Sequence, residues 1–198
     1  MLEARGLACL RGERAVFAGV SFRAGPGAAL LLTGANGAGK SSLLRLLAGL
    51  LPPAAGALLW DGGDALADRA AHAGRLRYLS PQDALKPSLT ARESLRFAAR
   101  LHGGGGDPDA ALGAFALLPL AELPVRVLST GQRRRLALAR LALAPAPLWL
   151  LDEPTLGLDA ASVGRLGGLL AKHREAGGAV VAATHLPLPL PGAAELRL

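Results

Sequence analysis

The chain has 198 residues, of which 51% are hydrophobic and 4% aromatic, so it can bury a sizeable core and is not a disordered chain. Its net charge of +7 indicates an anionic ligand or surface, yet the basic runs lack the interleaved aromatic residues of nucleic-acid-binding proteins, and we expect no nucleic-acid partner. The single cysteine excludes an internal disulfide, and no apolar run reaches the roughly 18 residues of a membrane span.

The first half of the chain predicts strands on both sides of one helix. Apolar or alternating runs typical of strands occur at residues 2–10, 15–22, 28–32, 56–60 and 76–79. Leucines on a broad apolar face predict a helix over residues 40–50, which we expect to end before Pro52 and Pro53.

The second half predicts a group of helices and then a return to strands. Helices are predicted at residues 90–102, 129–144 and 160–175, with another opened by Asp107 as N-cap and Pro108 as first residue. Strands are predicted at residues 148–151, 179–183 and 193–198. The pattern indicates a single α/β domain, with a mostly parallel β core, antiparallel β segments at the N-terminus and a helical subdomain inserted at about residues 85–147.

A glycine-rich turn between the third strand and the first helix matches the Walker A phosphate loop. Its residues are Gly34, Ala35, Asn36, Gly37, Ala38, Gly39, Lys40 and Ser41, followed by Ser42. Glycines let backbone N–H groups converge on phosphate oxygens, and the helix that follows points its positive end at them. We expect the loop to bind ATP, with Lys40 on the β- and γ-phosphates and the Ser41 hydroxyl on Mg²⁺.

A second motif matches the Walker B pattern, in which four buried residues lead to two acids. It consists of Leu148, Trp149, Leu150, Leu151, Asp152 and Glu153. Alone, two acids at a strand end are common in turns, but the Walker A loop makes the pairing specific. We expect Asp152 to hold Mg²⁺ through water and Glu153 to orient and deprotonate the attacking water.

A third motif precedes the Walker B strand and lies at the start of a predicted helix. Its residues are Leu128, Ser129, Thr130, Gly131 and Gln132. It resembles the LSGGQ signature of ATP-binding cassette (ABC) ATPases, with Thr130 in place of the first glycine. In isolation, Ser129 would be interpreted as a plain helix N-cap.

Other ABC elements follow in the expected order, and the resemblance runs from about residue 2 to residue 185. Gln82 matches the Q-loop glutamine, which in the family touches Mg²⁺ and the attacking water. The segment 154–159 matches the D-loop, which implies that Asp159 lies at a dimer seam. Thr184 precedes His185, which matches the H-switch histidine and is implied to contact the γ-phosphate.

The ABC resemblance implies a P-loop NTPase fold and a head-to-tail homodimer when ATP is bound. Ser129, Gly131 and Gln132 would then face the γ-phosphate that the other subunit holds in its Walker A loop. The family usually stacks adenine on an aromatic residue in the first hairpin turn, but residues 11–14 contain none, and an arginine plane is the alternative there.

A more specific resemblance is to the CcmA family, the ATP-binding subunits of the haem exporter in bacterial cytochrome c maturation. It rests on residues 56–62, 85–91, 124–135 and 146–149. Ser80-Pro81 departs from the pattern that precedes the Q-loop in many members. The resemblance implies an ATPase bound to integral-membrane permease subunits at the cytoplasmic face of the inner membrane, driving haem transfer or release.

Three other functions share some of these motifs. The first is the ATPase subunit of another ABC exporter, for a lipid, a peptide or a drug, and the second is a soluble ABC scaffold ATPase. The third is a P-loop kinase, which the signature at residues 128–132 and His185 argue against. We expect no direct haem binding, because His72, His102, His173 and His185 form no haem-binding motif.

Overall fold

Two β-sheets and six α-helices make up the protein, and the computed structural model describes all of residues 1–198. The strands are β1 (Leu2–Arg11), β2 (Arg14–Ala24), β3 (Ala29–Thr33), β4 (Ala55–Trp60), β5 (Gly63–Asp64), β6 (Leu76–Leu79), β7 (Leu148–Asp152), β8 (Ala179–Ala183) and β9 (Ala194–Arg197). The helices are α1 (Lys40–Leu47), α2 (Arg69–Gly74), α3 (Ala91–Leu101), α4 (Pro108–Ala114), α5 (Thr130–Ala139) and α6 (Ala160–Glu175).

The strands divide into one parallel and one antiparallel sheet. The parallel sheet has five strands in the order β6-β7-β8-β3-β9. The antiparallel sheet has four strands in the order β2-β1-β4-β5. The predicted α/β class is therefore confirmed, with a parallel core and antiparallel β segments at the N-terminus.

Strands β7 and β8 of the parallel sheet are buried on both faces. Along β7, Leu148 and Leu150 belong to one hydrophobic cluster, which also holds α1 and parts of the antiparallel sheet. Trp149 and Leu151 point to the other cluster, which holds residues of α3 to α6. This two-sided burial explains why the strand sequence is a continuous apolar run rather than an alternating one.

The first helix is shorter than the predicted range 40–50, because α1 ends at Leu47. Gly49 has a φ of +74°, and the amides of Gly49 and Leu50 each donate to carbonyls of the last helical turn at 2.9 Å. This Schellman pattern satisfies the free carbonyls of the helix end. The glycine therefore ends the helix before Pro52 does, and the predicted boundary was wrong.

The helical stretch after β6 also differs from the prediction at one boundary. The helix predicted at 129–144 is α5, which ends at Ala139 and tightens into a 3₁₀ turn at Arg140–Ala142, as helix C-termini commonly do. Further 3₁₀ turns lie at Leu118–Leu120 and Val125–Val127. The division of the chain at about residues 85–147 stays a prediction.

Two short elements, β5 and α2, were not predicted. The helix α2 begins after Asp68, whose carboxylate accepts a hydrogen bond from the Ala71 amide at 2.9 Å. No helix of the protein combines the length and the apolar character that crossing a bilayer requires.

The carboxyl ends of four adjacent parallel strands meet at one edge of the sheet. Strand β3 leads into the glycine-rich loop, β6 into residues 80–83, β7 into Glu153 and β8 into Thr184-His185. Open parallel sheets bind ligands at this edge. The topology thus gathers motifs that are more than 100 residues apart in the chain.

Candidate active site

The glycine-rich loop between β3 and α1 is bent by glycines in the left-handed region. Gly34, Gly37 and Gly39 have φ values of +132°, +84° and +102°. A Cβ atom at Gly39 would lie 2.6 Å from Cγ1 of Val16, and one at Gly34 would lie 2.6 Å from the carbonyl oxygen of Leu198. Gly34 and Gly39 are therefore required by crowding as well as by φ, whereas Gly37 faces open space.

The side chain of Lys40 curls back onto this loop. Its Nζ donates to the carbonyl oxygens of Gly34 at 2.8 Å and Ala35 at 3.0 Å. The backbone of the loop thereby holds the ammonium charge at the start of α1. Phosphate oxygens of a bound nucleotide would be stronger acceptors for the same ammonium, because they carry charge.

Ser41 and Asp152 meet although they are far apart in the chain. The Ser41 Oγ donates to Asp152 Oδ1 at 3.0 Å. Asp152 is 1% exposed, its Oδ2 atom is buried without a hydrogen-bond partner, and burial raises the pKa of this carboxyl. A hydroxyl beside a carboxylate with an unsatisfied oxygen fits Mg²⁺, which prefers hard oxygen ligands.

Glu153 and His185 form a second pair at the ends of β7 and β8. The Nδ1 atom of His185 lies 3.0 Å from Glu153 Oε2, and the His185 amide lies 3.4 Å from the same oxygen. Glu153 has a φ of +48°, which is rare outside glycine and asparagine. Its amide donates to the Ala183 carbonyl at 2.8 Å, so the main chain fixes the Glu153 peptide beside β8.

A cleft of about 480 Å³ opens over the glycine-rich loop and Glu153. Its lining includes the Walker A residues Asn36, Gly37, Gly39, Lys40, Ser41 and Ser42, together with Glu153. Arg11, Arg14 and Arg45 also line it. The cleft therefore carries one acid against four cations, which suits a polyphosphate ligand.

The sequence motifs did not identify Arg45 as a lining residue. It lies one helical turn after Ser41 on α1, so the i, i+4 spacing would have placed both on the same helix face. Arg11 and Arg14 lie in the hairpin turn that has no aromatic residue. Both arginines line the cleft, at the turn where an arginine was the expected alternative to an aromatic ring.

The signature motif lies elsewhere on the surface of the chain. Ser129 is the N-cap of α5 and forms a capping box with Gln132, with N···O distances of 3.2 Å and 2.8 Å. Ser129 is exposed and Gly131 partly exposed, and none of these three residues lines the cleft. The structure thus brings together the Walker A and Walker B residues and His185, and it leaves the signature apart from them.

Gln82 and Asp159 also lie outside the cleft lining. The Gln82 side chain is exposed, and the main-chain carbonyl of Gln82 accepts a hydrogen bond from Ser80 Oγ at 2.5 Å. Asp159 is the N-cap of α6, where its carboxylate accepts from the Ser162 amide at 2.7 Å. The hydrogen bonds from Ser162 in this cap also lower the pKa of Asp159. The carboxylate of Asp159 therefore has a structural role in the single chain.

Comparison with known proteins places these motifs in a family. A family model described as ABC transporter matches residues 17–156. A protein of Rhodospirillum rubrum named cytochrome c biogenesis ATP-binding export protein CcmA is 61% identical over 193 residues, which are 97% of this chain and 83% of that protein. A protein of the same name from Paramagnetospirillum magneticum is 54% identical and is matched over 99% of this chain and 93% of its own length.

Solved structures have the same fold. The ATP-binding subunit of an ABC transporter aligns with a TM-score of 0.85 at 26% identity, over 94% of this chain and 80% of that one. The ATP-binding cassette MJ0796, in a dimeric post-hydrolysis state with ADP and phosphate, aligns with a TM-score of 0.83 at 25% identity. That alignment covers 94% of this chain and 88% of the MJ0796 chain.

Proposed function

The chain belongs to the ABC transporter family, among the CcmA cytochrome c biogenesis ATP-binding export proteins, and we propose that it is the ATP-hydrolysing subunit of the corresponding export complex. One observation carries the ATPase assignment. Ser41 meets Asp152 at 3.0 Å and Glu153 meets His185 at 3.0 Å, beside a phosphate loop in a cationic cleft. The assignment to c-type cytochrome biogenesis rests on the relatives.

The reaction is phosphoryl transfer from ATP to water. Loop amides and Lys40 hold the phosphate chain, and Glu153 orients a water molecule and takes its proton as the water oxygen bonds to the γ-phosphorus. The bond from that phosphorus to the bridging oxygen breaks, which leaves ADP and inorganic phosphate. His185, which contacts Glu153 in the free protein, would donate to the γ-phosphate once ATP fills the cleft. Positioning and charge stabilisation supply most of the catalysis.

Ser41 and Asp152 would hold Mg²⁺, and Gln82 is the third proposed contact. When bound, Mg²⁺ neutralises charge on the β- and γ-phosphates. The unsatisfied Oδ2 atom of Asp152 supports this, because a buried carboxylate oxygen without a partner is costly.

A second copy of the chain would complete each ATP site. Ser129 is exposed at the N-terminus of α5, where free amides and the helix dipole favour an anion. Ser129, Gly131 and Gln132 do not line this chain's own cleft, and the dimeric MJ0796 structure supports a paired arrangement for the fold. We propose a head-to-tail dimer in which Ser129, Gly131 and Gln132 face the γ-phosphate held by the partner subunit and Asp159 lies near the seam.

The membrane subunits of the complex would hold the ATPase at the cytoplasmic face of the inner membrane, with haem as the cargo. A tagged chain should therefore co-purify from detergent-solubilised membranes with integral-membrane permease subunits, identified by mass spectrometry. The complex should hydrolyse ATP with Mg²⁺ and stop when Mg²⁺ is chelated.

The co-purification also tests the soluble alternative. A chain found only in the soluble fraction, with soluble partners, would contradict the proposal and favour a scaffold ATPase. Deleting the genes of the co-purified permease subunits tests the cargo, because c-type cytochromes that stay intact in that deletion would indicate an exporter for another cargo.

A further inference from the structure

A buried arginine follows the signature motif, and the sequence motifs assign it no role in ATP hydrolysis. Arg134 lies in α5, two residues after Gln132, and is 4% exposed. Burying a guanidinium is costly unless hydrogen bonds and an opposite charge compensate it. The residues that compensate Arg134 come from two segments of the active-site edge of the sheet.

One side of the guanidinium holds the loop that follows β6. The Nη1 atom donates to the Ser80 carbonyl at 3.0 Å and to Asp83 Oδ1 at 3.1 Å. Asp83 thus supplies the opposite charge. This loop contains Gln82, the proposed Q-loop residue.

The other side of the guanidinium holds the end of the Walker B strand. The Nη2 atom donates to the carbonyl oxygens of Asp152 at 3.2 Å and Glu153 at 2.5 Å. These carbonyls belong to the two peptide groups on either side of the Glu153 Cα atom. Holding both peptides restricts φ and ψ of Glu153, and so it fixes the direction in which the Glu153 side chain leaves the main chain.

Glu153 needs such a restraint, because its φ of +48° lies in a region that residues with a Cβ atom rarely adopt. Its amide is already fixed to the Ala183 carbonyl at 2.8 Å. Arg134 adds the contacts on the carbonyl side, so the strained peptide is held by β8 and by α5.

We propose that Arg134 is a positioning residue for ATP hydrolysis. It sets the direction of the Glu153 carboxylate and ties Glu153 to the signature helix and the Q-loop. This rests on the proposed function of Glu153 as the base. Arg134 does not line the cleft, so it acts through Glu153 rather than on the nucleotide. Since α5 begins at Ser129, a shift of this helix when it meets the partner's nucleotide would be transmitted to Glu153 of its own subunit.

Arg140 provides a matched control within the same structure. It follows α5 directly and donates to the carbonyls of Asp83 at 2.5 Å and Ala84 at 3.3 Å. It therefore anchors the same loop as Arg134 through a partly buried side chain but makes no hydrogen bond to Asp152 or Glu153.

The test compares Arg134→Gln with Arg140→Gln in the permease-bound complex. Steady-state kinetics with Mg²⁺ and ATP gives kcat, and equilibrium binding of ATP gives Kd. Arg134→Gln should lower kcat about tenfold or more and change Kd less than about threefold, because it disturbs the base and not the phosphate loop. Arg140→Gln should keep kcat within about threefold of wild type. Arg134→Lys should recover only part of the lost kcat. The lysine keeps the positive charge, but one ammonium cannot serve both pairs of acceptors.

Three results would overturn the proposal. They are a wild-type kcat in Arg134→Gln, equal losses in Arg134→Gln and Arg140→Gln, and a loss of kcat matched by a loss of ATP affinity. If Arg134→Gln does not fold, the test uses Arg134→Lys. A folded Arg134→Lys whose kcat is at least about threefold below wild type, with an unchanged Kd, supports the proposal. A folded Arg134→Lys with wild-type kcat overturns it. A wild-type complex that hydrolyses ATP keeps the proposed function in every case. A wild-type complex without ATPase activity would remove the proposed function and the inference with it.

Discussion

Replacing Glu153 with glutamine should leave ATP binding intact and lower the rate of hydrolysis by about two or more orders of magnitude. This loss corresponds to an activation barrier that is higher by on the order of 3 kcal/mol. The amide keeps the size of the side chain and can still accept a hydrogen bond from His185, so the pair seen at 3.0 Å can persist. The amide cannot accept the proton of the attacking water. Single-turnover assays with radiolabelled ATP measure the rate, and equilibrium binding measures the affinity.

The Glu153→Gln variant should also accumulate as an ATP-bound dimer, because the nucleotide that closes the pair is not consumed. Size-exclusion chromatography with ATP and Mg²⁺ would detect it. Glu175→Gln is the matched control, since Glu175 is exposed at the end of α6 and should keep wild-type turnover. Near wild-type hydrolysis by Glu153→Gln would remove Glu153 from the role of base.

Replacing Lys40 with alanine should weaken ATP binding by about 10- to 100-fold, because a charge-assisted hydrogen bond to phosphate contributes roughly 1.5–3 kcal/mol. In the free protein the ammonium is held by two loop carbonyls at 2.8 Å and 3.0 Å. Losing these bonds also loosens the loop around Gly34 and Ala35. A filter-binding assay with labelled ATP measures the change in Kd.

Lys172→Ala is the control for the loss of one positive charge, because Lys172 is exposed on α6, away from the cleft. Its Kd for ATP should stay within about twofold of wild type, since exposed charges at a distance are screened by salt. An unchanged Kd in Lys40→Ala would contradict the assignment of the phosphate loop.

The core of the fold could be predicted because local patterns and tertiary structure agree there. The apolar run 148–151 predicts a strand buried on both faces, and the structure places its alternate residues in two separate clusters. The helix predicted at 160–175 is α6 with the same bounds, since Asp159 provides the cap and no glycine in the helix adopts a positive φ.

Element ends were less predictable where two signals competed. Gly49 and Pro52 are both stop signals for α1, and the closer glycine determines the boundary, because its positive φ allows the last carbonyls to be satisfied at once. The short helix α2 is capped by Asp68 and has only six residues. Six residues are too few to show an amphipathic pattern in the sequence.

The site could be predicted as motifs but not as contacts. The order of the strands brings Ser41 to Asp152 and Glu153 to His185, and neither distance follows from the spacing along the chain. Arg134 shows the limit most clearly. Its partners lie up to 54 residues before it and 19 residues after it, so the run Arg133-Arg134-Arg135 gives no sign of them.

A haem-stained gel of c-type cytochromes from cells that lack this gene tests whether the chain has an ATP-driven role in cytochrome c biogenesis. Wild type or Glu153→Gln is then added back, with immunoblots to verify that both proteins are present. We predict that holocytochromes c disappear in the deletion strain and that only the wild-type chain restores them. Holocytochromes that persist in the deletion strain, or that Glu153→Gln restores, would contradict an ATP-driven role of this chain in c-type cytochrome biogenesis.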